Sequence, residues 1–302
     1  MIGIVILNYK TWEETIECVE SIRKSTKCRY KIYIVDNKSP DDSYIQLYSK
    51  FQDSDDVVLI NSNENGGYSA GNNIGIKQAL LDGAEAVILS NSDIIYFENS
   101  IDFMYEYLKS NKNIGILGPK VILENNTIQN SPRKNYTFKN YLFSKKPFIF
   151  LDFQGIKRKT YFTDYDYDRE LVFKGLVSGC CMVLTKEYFE LCGFLDENVF
   201  LYFEEAIVSN KAINTELKTC VLPQANVLHK GSVSIGKQSA FSRFHRYYSS
   251  LYMLRKYVGI NKLQFTFILF LNYIPFVINS FYKKEYRRML KKFTKQCFSL
   301  YR

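Results

Sequence analysis

No C-x-x-C pair occurs in the 302 residues, and the seven cysteines (Cys18, Cys28, Cys180, Cys181, Cys192, Cys220, Cys297) are scattered and odd in number. Neither a zinc ribbon nor a disulfide framework is suggested by that pattern, and a reducing cytoplasm is the expected compartment. The N-terminus, MIGIVILNYK, lacks a basic segment ahead of its apolar run. It reads as a buried strand and not a signal peptide, with the mature chain expected to start at Met1. There is no internal repeat. Neither G-x-G-x-x-G nor a glycine-rich triphosphate-gripping loop follows the first strand-like run, where LNYKTWEE stands instead. That counts against a dinucleotide-binding dehydrogenase and against a nucleotidyltransferase.

What is present is a 46% hydrophobic, 24% charged chain, long enough for one principal α/β domain and an appendage. Its net charge of +9 is uneven. Residues 237–302 hold fourteen Lys and Arg against the single acid Glu285, a net of +13, so residues 1–236 carry −4. The basicity belongs to the tail. We therefore divide the chain into a catalytic part, 1–236, and a basic, aromatic, helical tail, 237–302.

The first third alternates short β-branched runs with helical patterns, which is the signature of βαβ units and a largely parallel sheet. Strands are expected over residues 2–7, 31–35, 57–60, 86–89 and 114–117, and helices over 12–23, 43–51, 68–81 and 100–108. Polar residues gather where the strands end: Asn8, Asp36 and Asn37, residues 61–67, and residues 91–93. In an open parallel sheet the ligand crevice lies outside those carboxyl ends, so the pattern predicts one binding site. Periodicity fades over residues 121–170, read as a hairpin and a long variable loop. It returns over 171–184 and in a helix from Glu187.

Several constellations carry chemistry. Gly67, Gly71 and Gly75 recur every four residues in NSNENGGYSAGNNIG and share a helical face, at roughly 1 kcal/mol each against Ala. Backbone contact with a nucleotide at a helix N-terminus explains them, and so does tight packing of helix on sheet. Asp36 and Asp93 end neighbouring strands, where one can bind base and ribose and the other a hard cation between diphosphate oxygens; each is also an ordinary turn or N-cap residue. Glu204 and Glu205 follow the aromatic run FLYF. They read either as first-turn dipole partners or as a general base whose pKa is raised against aromatic walls. His229, one of two histidines, is either structural or a metal or phosphate contact.

Seven segments occur in order: VILNYK, IVDNKSPD, NENGGYSAGNNIGI, LSNSD, GILGPKV, VSGCCMVLTKEYFELCGFLDENVFLYFEE and VLHKGSVS. Together they resemble the family 2 glycosyltransferases, in their bacterial rhamnosyltransferase-like, capsule or lipopolysaccharide branch, over roughly residues 2–257. The resemblance implies a GT-A fold, in which a Rossmann-like nucleotide-binding sheet is fused to an acceptor half. The activity it implies is transfer of a hexosyl or deoxyhexosyl group with inversion, from a UDP- or dTDP-linked donor to a glycan or lipid-linked saccharide hydroxyl. Mg2+ or Mn2+ is the implied cofactor.

By the same resemblance Asn8 and Asp36 contact the nucleoside, and Asn63, Gly67 and Asn72 belong to the loop that holds ribose and diphosphate. Asp93 is the last acid of an Asp-x-Asp motif and His229 the late histidine near metal or diphosphate. Glu205, or Glu204 beside it, is the base. Three positions depart from the pattern. Asn91, counted among the donor-binding positions, replaces the first acid; Glu205 is longer than the family's Asp; and Ile207 stands where many relatives carry another Asp. A weak or inactive nucleotide-sugar-binding scaffold is the alternative that those departures leave.

Residues 263–282 contain no charge but are interrupted by Gln264, Asn272, Pro275 and Asn279, and a basic run follows from Lys283. An in-plane or re-entrant anchor is expected in preference to a spanning helix. The expected partner is an anionic membrane surface at the inner face of the plasma membrane, not nucleic acid, for which no recognition motif is present.

Overall fold

The computed structural model describes residues 1–145, 148–231 and 239–301. The boundary placed between residues 236 and 237, the last residues of VLHKGSVS and Arg302 lie outside the described residues. In chain order the elements are β1 (Ile2–Asn8), α1 (Trp12–Ser25), β2 (Tyr30–Asp36), α2 (Ser43–Phe51), β3 (Val57–Asn61), α3 (Gly67–Leu81), β4 (Ala86–Asn91), β5 (Ile94–Tyr96), α4 (Ser100–Ser110) and β6 (Ile114–Leu123). The segment expected to be a loop instead holds β7 (Arg133–Lys134), α5 (Phe138–Phe143), a 3-10 turn (Phe148–Leu151) and α6 (Ile156–Tyr161). Then come β8 (Leu171–Phe173), β9 (Gly175–Leu176), β10 (Cys181–Thr185), α7 (Lys186–Cys192), α8 (Glu204–Lys211) and β11 (Lys218–His229). The chain finishes with α9 (Ala240–Met253), which runs into a π turn (Leu254–Val258), then α10 (Lys262–Tyr282) and α11 (Lys284–Ser299).

The main sheet runs β3-β2-β1-β4-β10-β6-β11-β5, with β8 paired to β11. Its first four strands are parallel, as alternation with α1–α3 requires. The sheet as a whole is mixed, because β10 inserts antiparallel between β4 and β6. Both faces are covered: Ile2, Ile4 and Ile6 of β1 belong to one core with α1 and α4, while Val5 joins another beneath α3. That alternation is the period of two, and burial on both faces explains the near-continuous apolar run.

The glycine face of α3 serves packing at two of its three positions. A Cβ on Gly71 would stand 2.4 Å from Leu7 Cδ1, and one on Gly75 would stand 2.6 Å from Val5 Cγ1. Gly67 differs: its φ is +86° and a Cβ would fall 2.3 Å from the Phe200 carbonyl oxygen, which also accepts the Tyr68 amide at 2.8 Å. Gly67→Ala is therefore expected to cost about 2–3 kcal/mol, combining left-handed strain with displacement of the loop before α8. Urea denaturation of the purified variant checks this; no loss, or the gain of up to about 1 kcal/mol that an ordinary helical Gly→Ala change brings, would be inconsistent with it.

A third core joins the C-terminal helices to the rest. Phe244, Leu251, Phe265, Ile268, Phe276 and Phe293 cluster with Tyr141, Val199, Ala206 and Ile207. Asp196 adds a polar tie, accepting hydrogen bonds from Tyr252 Oη at 2.8 Å, Tyr257 Oη at 2.5 Å and Lys256 Nζ at 3.0 Å. Although burial opposes ionisation, these donors and Asn198 hold its carboxyl well below the usual range. The polar interruptions of α10 also have local roles. Gln264 closes a capping box with Asn261, Asn272 reaches Ser250 Oγ at 3.4 Å, and Asn279 donates to the Pro275 carbonyl at 2.6 Å within one continuous helix.

Candidate active site

A cavity of about 730 Å³ opens at the carboxyl ends of β1 and β4 and the start of α3. Leu7, Tyr9 and Thr11 contribute from the β1 side, Asn37 from the turn after β2, and Asn65, Gly67 and Tyr68 from the glycine loop. Asn91, Ser92 and Asp93 follow β4, and Phe200, Tyr202, Glu204 and Glu205 close the far wall. Residues from five separate parts of the chain thus meet in one crevice, at the position that parallel-sheet topology favours.

Asp93 occupies the turn between β4 and β5, and His229 is the last residue of β11. Because β5 pairs antiparallel with β11, His229 falls opposite Ile94 and its ring comes beside the Asp93 carboxylate. The two side chains approach at 3.4 Å, His229 Nε2 to Asp93 Oδ2, and both atoms are buried with no other hydrogen-bond partner. The other ring nitrogen is fixed by Gln129 Oε1 at 2.8 Å, and Gln129 in turn donates to Ser178 Oγ at 2.8 Å. Burial alone pulls the imidazole pKa down, but Asp93 and Cys180 outweigh it and raise it to about 10.

A buried carboxylate and imidazole that face each other, the ring oriented from behind by Gln129, fit a divalent cation that would take the place of the proton they otherwise share. Among the described residues no group of three or more His, Cys, Asp or Glu could hold one. A cation here would have only two protein ligands and would need donor oxygens and water for the rest, as Mg2+ and Mn2+ sites at diphosphates do.

Glu204 and Glu205 open α8 after Tyr202 and Phe203, both at φ +70°. Bulky aromatics in the left-handed region are strained, and here they turn the chain so that its first helical residues face the cavity. The two carboxylates have different surroundings. Burial and the neighbouring Glu205 push Glu204 up to about 8, and its Oε1 is buried without a partner. Burial also raises Glu205, but the Arg133 guanidinium opposes the rise. Glu205 lies against Gly179, where an added Cβ would be 3.7 Å from its own Cβ. At neutral pH Glu204 is thus the protonated partner and Glu205 the one more readily ionised.

The pH dependence of stability follows from Glu204. Its folded pKa lies above its ordinary value of 4.5, so the native state binds more protons than the unfolded state between about 4.5 and 8. Stability therefore falls as pH rises through that window. Glu204→Gln is expected to be near neutral at pH 4 and to stabilise by a few kcal/mol at pH 9, at about 1.4 kcal/mol per pKa unit. Melting temperatures across that range check it, and an offset that does not change with pH would contradict the assignment.

Not every position expected at the site reaches the cavity wall; His229 is not among the lining residues and meets the site only through Asp93. Asn8 and Asp36 are buried one layer behind it: Asn8 Nδ2 donates to Asp36 Oδ2 at 2.7 Å, and Asp36 also accepts from the Ser39 amide and hydroxyl. Asn37, the next residue, faces the cavity instead, with its Nδ2 donating to Asn65 Oδ1 at 3.0 Å and its Oδ1 buried without a partner. Asn63 is exposed and off the wall, where Asn65 stands. Asn72 bonds back to the Tyr68 carbonyl within α3. Arg133 and Gln129 carry no motif signal, and only the tertiary contacts bring them in; Tyr68 lies inside the glycine-loop segment without being singled out by it, and its hydroxyl donates to the Gly179 carbonyl at 2.9 Å.

The model for glycosyl transferase family 2 matches residues 3–189. A low-salt glycan biosynthesis hexosyltransferase of Haloferax volcanii is 26% identical over 206 residues, covering 68% of this chain and 59% of its own length. A dTDP-rhamnosyl transferase of Shigella flexneri is 23% identical over 261 residues, covering 83% and 79%. Among solved structures, GalNAc-T7 with UDP, GalNAc and Mn2+ superposes with a TM-score of 0.60 at 14% identity, covering 84% of this chain and 47% of that one. A Pyrobaculum calidifontis mannosyltransferase with GDP-Man and Mn2+ superposes with a TM-score of 0.58 at 12% identity, covering 90% and 70%. The chain thus spans under two thirds of the first of these relatives and about half of the first of these structures. The mixed α/β sheet is that of the GT-A glycosyltransferases. The chain belongs to glycosyl transferase family 2.

Proposed function

We propose that the chain transfers a hexosyl or deoxyhexosyl group, with inversion, from a UDP- or dTDP-linked donor to a hydroxyl of a glycan or lipid-linked saccharide in bacterial surface polysaccharide synthesis. One observation carries the reading: Asp93, with the His229 ring 3.4 Å from its carboxylate, lines the same crevice as Glu204 and Glu205, so a carboxylate suited to a cation and a raised carboxylate face one cavity. Inversion needs a base on one side of the anomeric carbon and charge stabilisation on the other.

In this reading Glu205 takes the proton of the acceptor hydroxyl as its oxygen attacks, with Arg133 keeping the carboxylate ionised. Glu204, protonated, donates a hydrogen bond into the cavity, and Asn37 and Asn65 bind donor groups. Asp93 and His229 would hold Mg2+ or Mn2+, whose charge would offset that on the departing diphosphate. Asn91 would contact the donor as a neutral group where the family's pattern has a first acid, leaving Asp93 as the only carboxylate there and the cation more loosely held. The relatives' names support this reading, since they include a hexosyltransferase and a dTDP-rhamnosyl transferase, and solved neighbours contain UDP or GDP-Man with Mn2+.

The tail's charge and α10's exposed apolar residues support a peripheral place at the inner face of the plasma membrane, where a lipid-linked acceptor would be found. Thermal-shift screening of UDP-, dTDP- and GDP-sugars, each with and without Mg2+ or Mn2+, tests the donor class. We expect metal-dependent stabilisation by a UDP- or dTDP-sugar and metal-dependent slow donor hydrolysis. Stabilisation by none of them, together with no hydrolysis, rules the reading out.

A further inference from the structure

The outer face of α10 is a stripe without polar residues. After Lys262, the exposed residues of this helix are Leu263, Phe267, Phe270, Ile274, Ile278 and Phe281, followed by Tyr282 at its end. Their spacing of three and four keeps them in one line along the helix. The opposite face, with Phe265, Ile268, Leu269 and Phe276, is buried in the core shared with α9 and α11. A helix packed lengthwise in this way lies along the protein and leaves its outer face uncovered.

The stripe does not end with the tail. Phe148, in the 3-10 turn of the segment between β7 and β8, packs edge-on against Phe267 with ring centroids 5.8 Å apart. Beyond that contact Phe150 is 75% exposed, Leu151 55% and Phe153 90%. Two distant parts of the chain thus contribute exposed apolar side chains that meet at the Phe148–Phe267 contact, the kind of clustering that marks an interaction surface. Beside it, α11 exposes Lys284, Arg287, Arg288, Lys291, Lys292 and Lys295 against Glu285.

We propose that these elements form a single bipartite docking face for an anionic lipid bilayer, with Phe150, Leu151 and Phe153 of the catalytic part inserting as a second foot beside α10. The inference rests on the membrane-peripheral reading above and adds to it a contact made outside the tail. Charge selects this occupant: two copies of the face would oppose their cations, whereas acidic headgroups complement them, at about 1 kcal/mol per Lys or Arg near the surface. The apolar stripe supplies the insertion that cations alone lack. The same segment runs on through α6 to Tyr161, whose ring lies 5.2 Å from the Arg133 guanidinium beside Glu205. The second foot thus lies on the same short stretch of chain as Tyr161, which touches the candidate base's counter-ion, and it sets the orientation of the catalytic part on the bilayer.

Flotation of the full chain with phosphatidylcholine vesicles, with and without phosphatidylglycerol, tests this, alongside light scattering of the free protein. The parent is expected to bind the acidic vesicles in a salt-sensitive way. Phe150→Ser with Phe153→Ser, and separately Ile274→Ser with Ile278→Ser, should each weaken that binding at least about tenfold, with melting temperature and nucleotide-sugar binding unchanged. If the loop variant binds like the parent while the α10 variant does not, the second foot is wrong and the tail-anchored reading stands. A parent that binds neither vesicle overturns both. A dimer that the loop substitutions dissociate, without effect on vesicle binding, assigns the face to a second copy and overturns the proposal.

Discussion

Glu205→Gln is expected to lower turnover by about 10³-fold while leaving nucleotide-sugar affinity within a fewfold of the parent, because general-base removal typically costs 10²–10⁴ in rate. The substitution preserves shape and hydrogen-bonding capacity, so the loss reports proton abstraction and not collapse of the cavity. Glu204→Gln should retain far more activity, since Glu204, held up to about 8, is already protonated at neutral pH and an amide can replace its donated hydrogen bond. The two carboxylates are adjacent in sequence, yet Arg133 faces only the second. That difference in environment divides the roles.

The pH profile separates this from a structural role. With Glu205 raised by burial, the acid limb of kcat should lie above the ordinary carboxylate range and disappear in Glu205→Gln. Removing the opposing charge with Arg133→Gln should move that limb to higher pH, because the carboxylate then loses the partner that favours its ionised form. Steady-state transfer assays over pH 5–9 measure both. Full turnover in Glu205→Gln, or a thousandfold loss in Glu204→Gln instead, reverses the assignment.

The βαβ part of the fold was legible because parallel strands buried on both faces have a strong local signature. The strands expected at residues 2–7, 31–35, 57–60, 86–89 and 114–117 all form, as do the four helices between them. The antiparallel insertion of β10 was not legible, since strand direction is set by partners far along the chain and not by composition. Residues 121–170 lacked a period for a different reason: two six-residue helices and a 3-10 turn are too short to show one.

The same distinction governs the site. Sequence placed acids and amides at strand ends but could not tell which of two neighbours points outward. Asp36 turns inward to Asn8 and Ser39 while Asn37 faces the cavity, and Asn65 takes the wall position expected of Asn63. Arg133 and Gln129 have no local signal at all, because their importance comes from what β7 and the segment after β6 bring near Glu205 and His229.

Asp93→Asn is expected to cost about 10²–10⁴ in transfer, the several kcal/mol that a Lewis acid contributes to a departing diphosphate. The substitution also removes one of the two protein ligands the geometry offers, so half-saturation should need much higher Mg2+ or Mn2+. His229→Gln should show the same rightward shift, and Gln129→Ala a smaller one, because Gln129 acts only by orienting the ring. Metal titrations of nucleotide-sugar binding read these shifts independently of turnover. With Asp93 and His229 as the protein ligands, affinity for the ion and for the donor would be mutually dependent, because the diphosphate would supply oxygens the protein lacks and the ion would offset the diphosphate's charge. Titrating metal at several donor concentrations should therefore give an apparent affinity that strengthens with donor, and chelator should release the donor. An affinity independent of donor would mean that the protein binds the ion through ligands other than Asp93 and His229. Loss of turnover in Asp93→Asn without any change in metal or donor binding would instead place the carboxylate in the chemistry and not in cation binding.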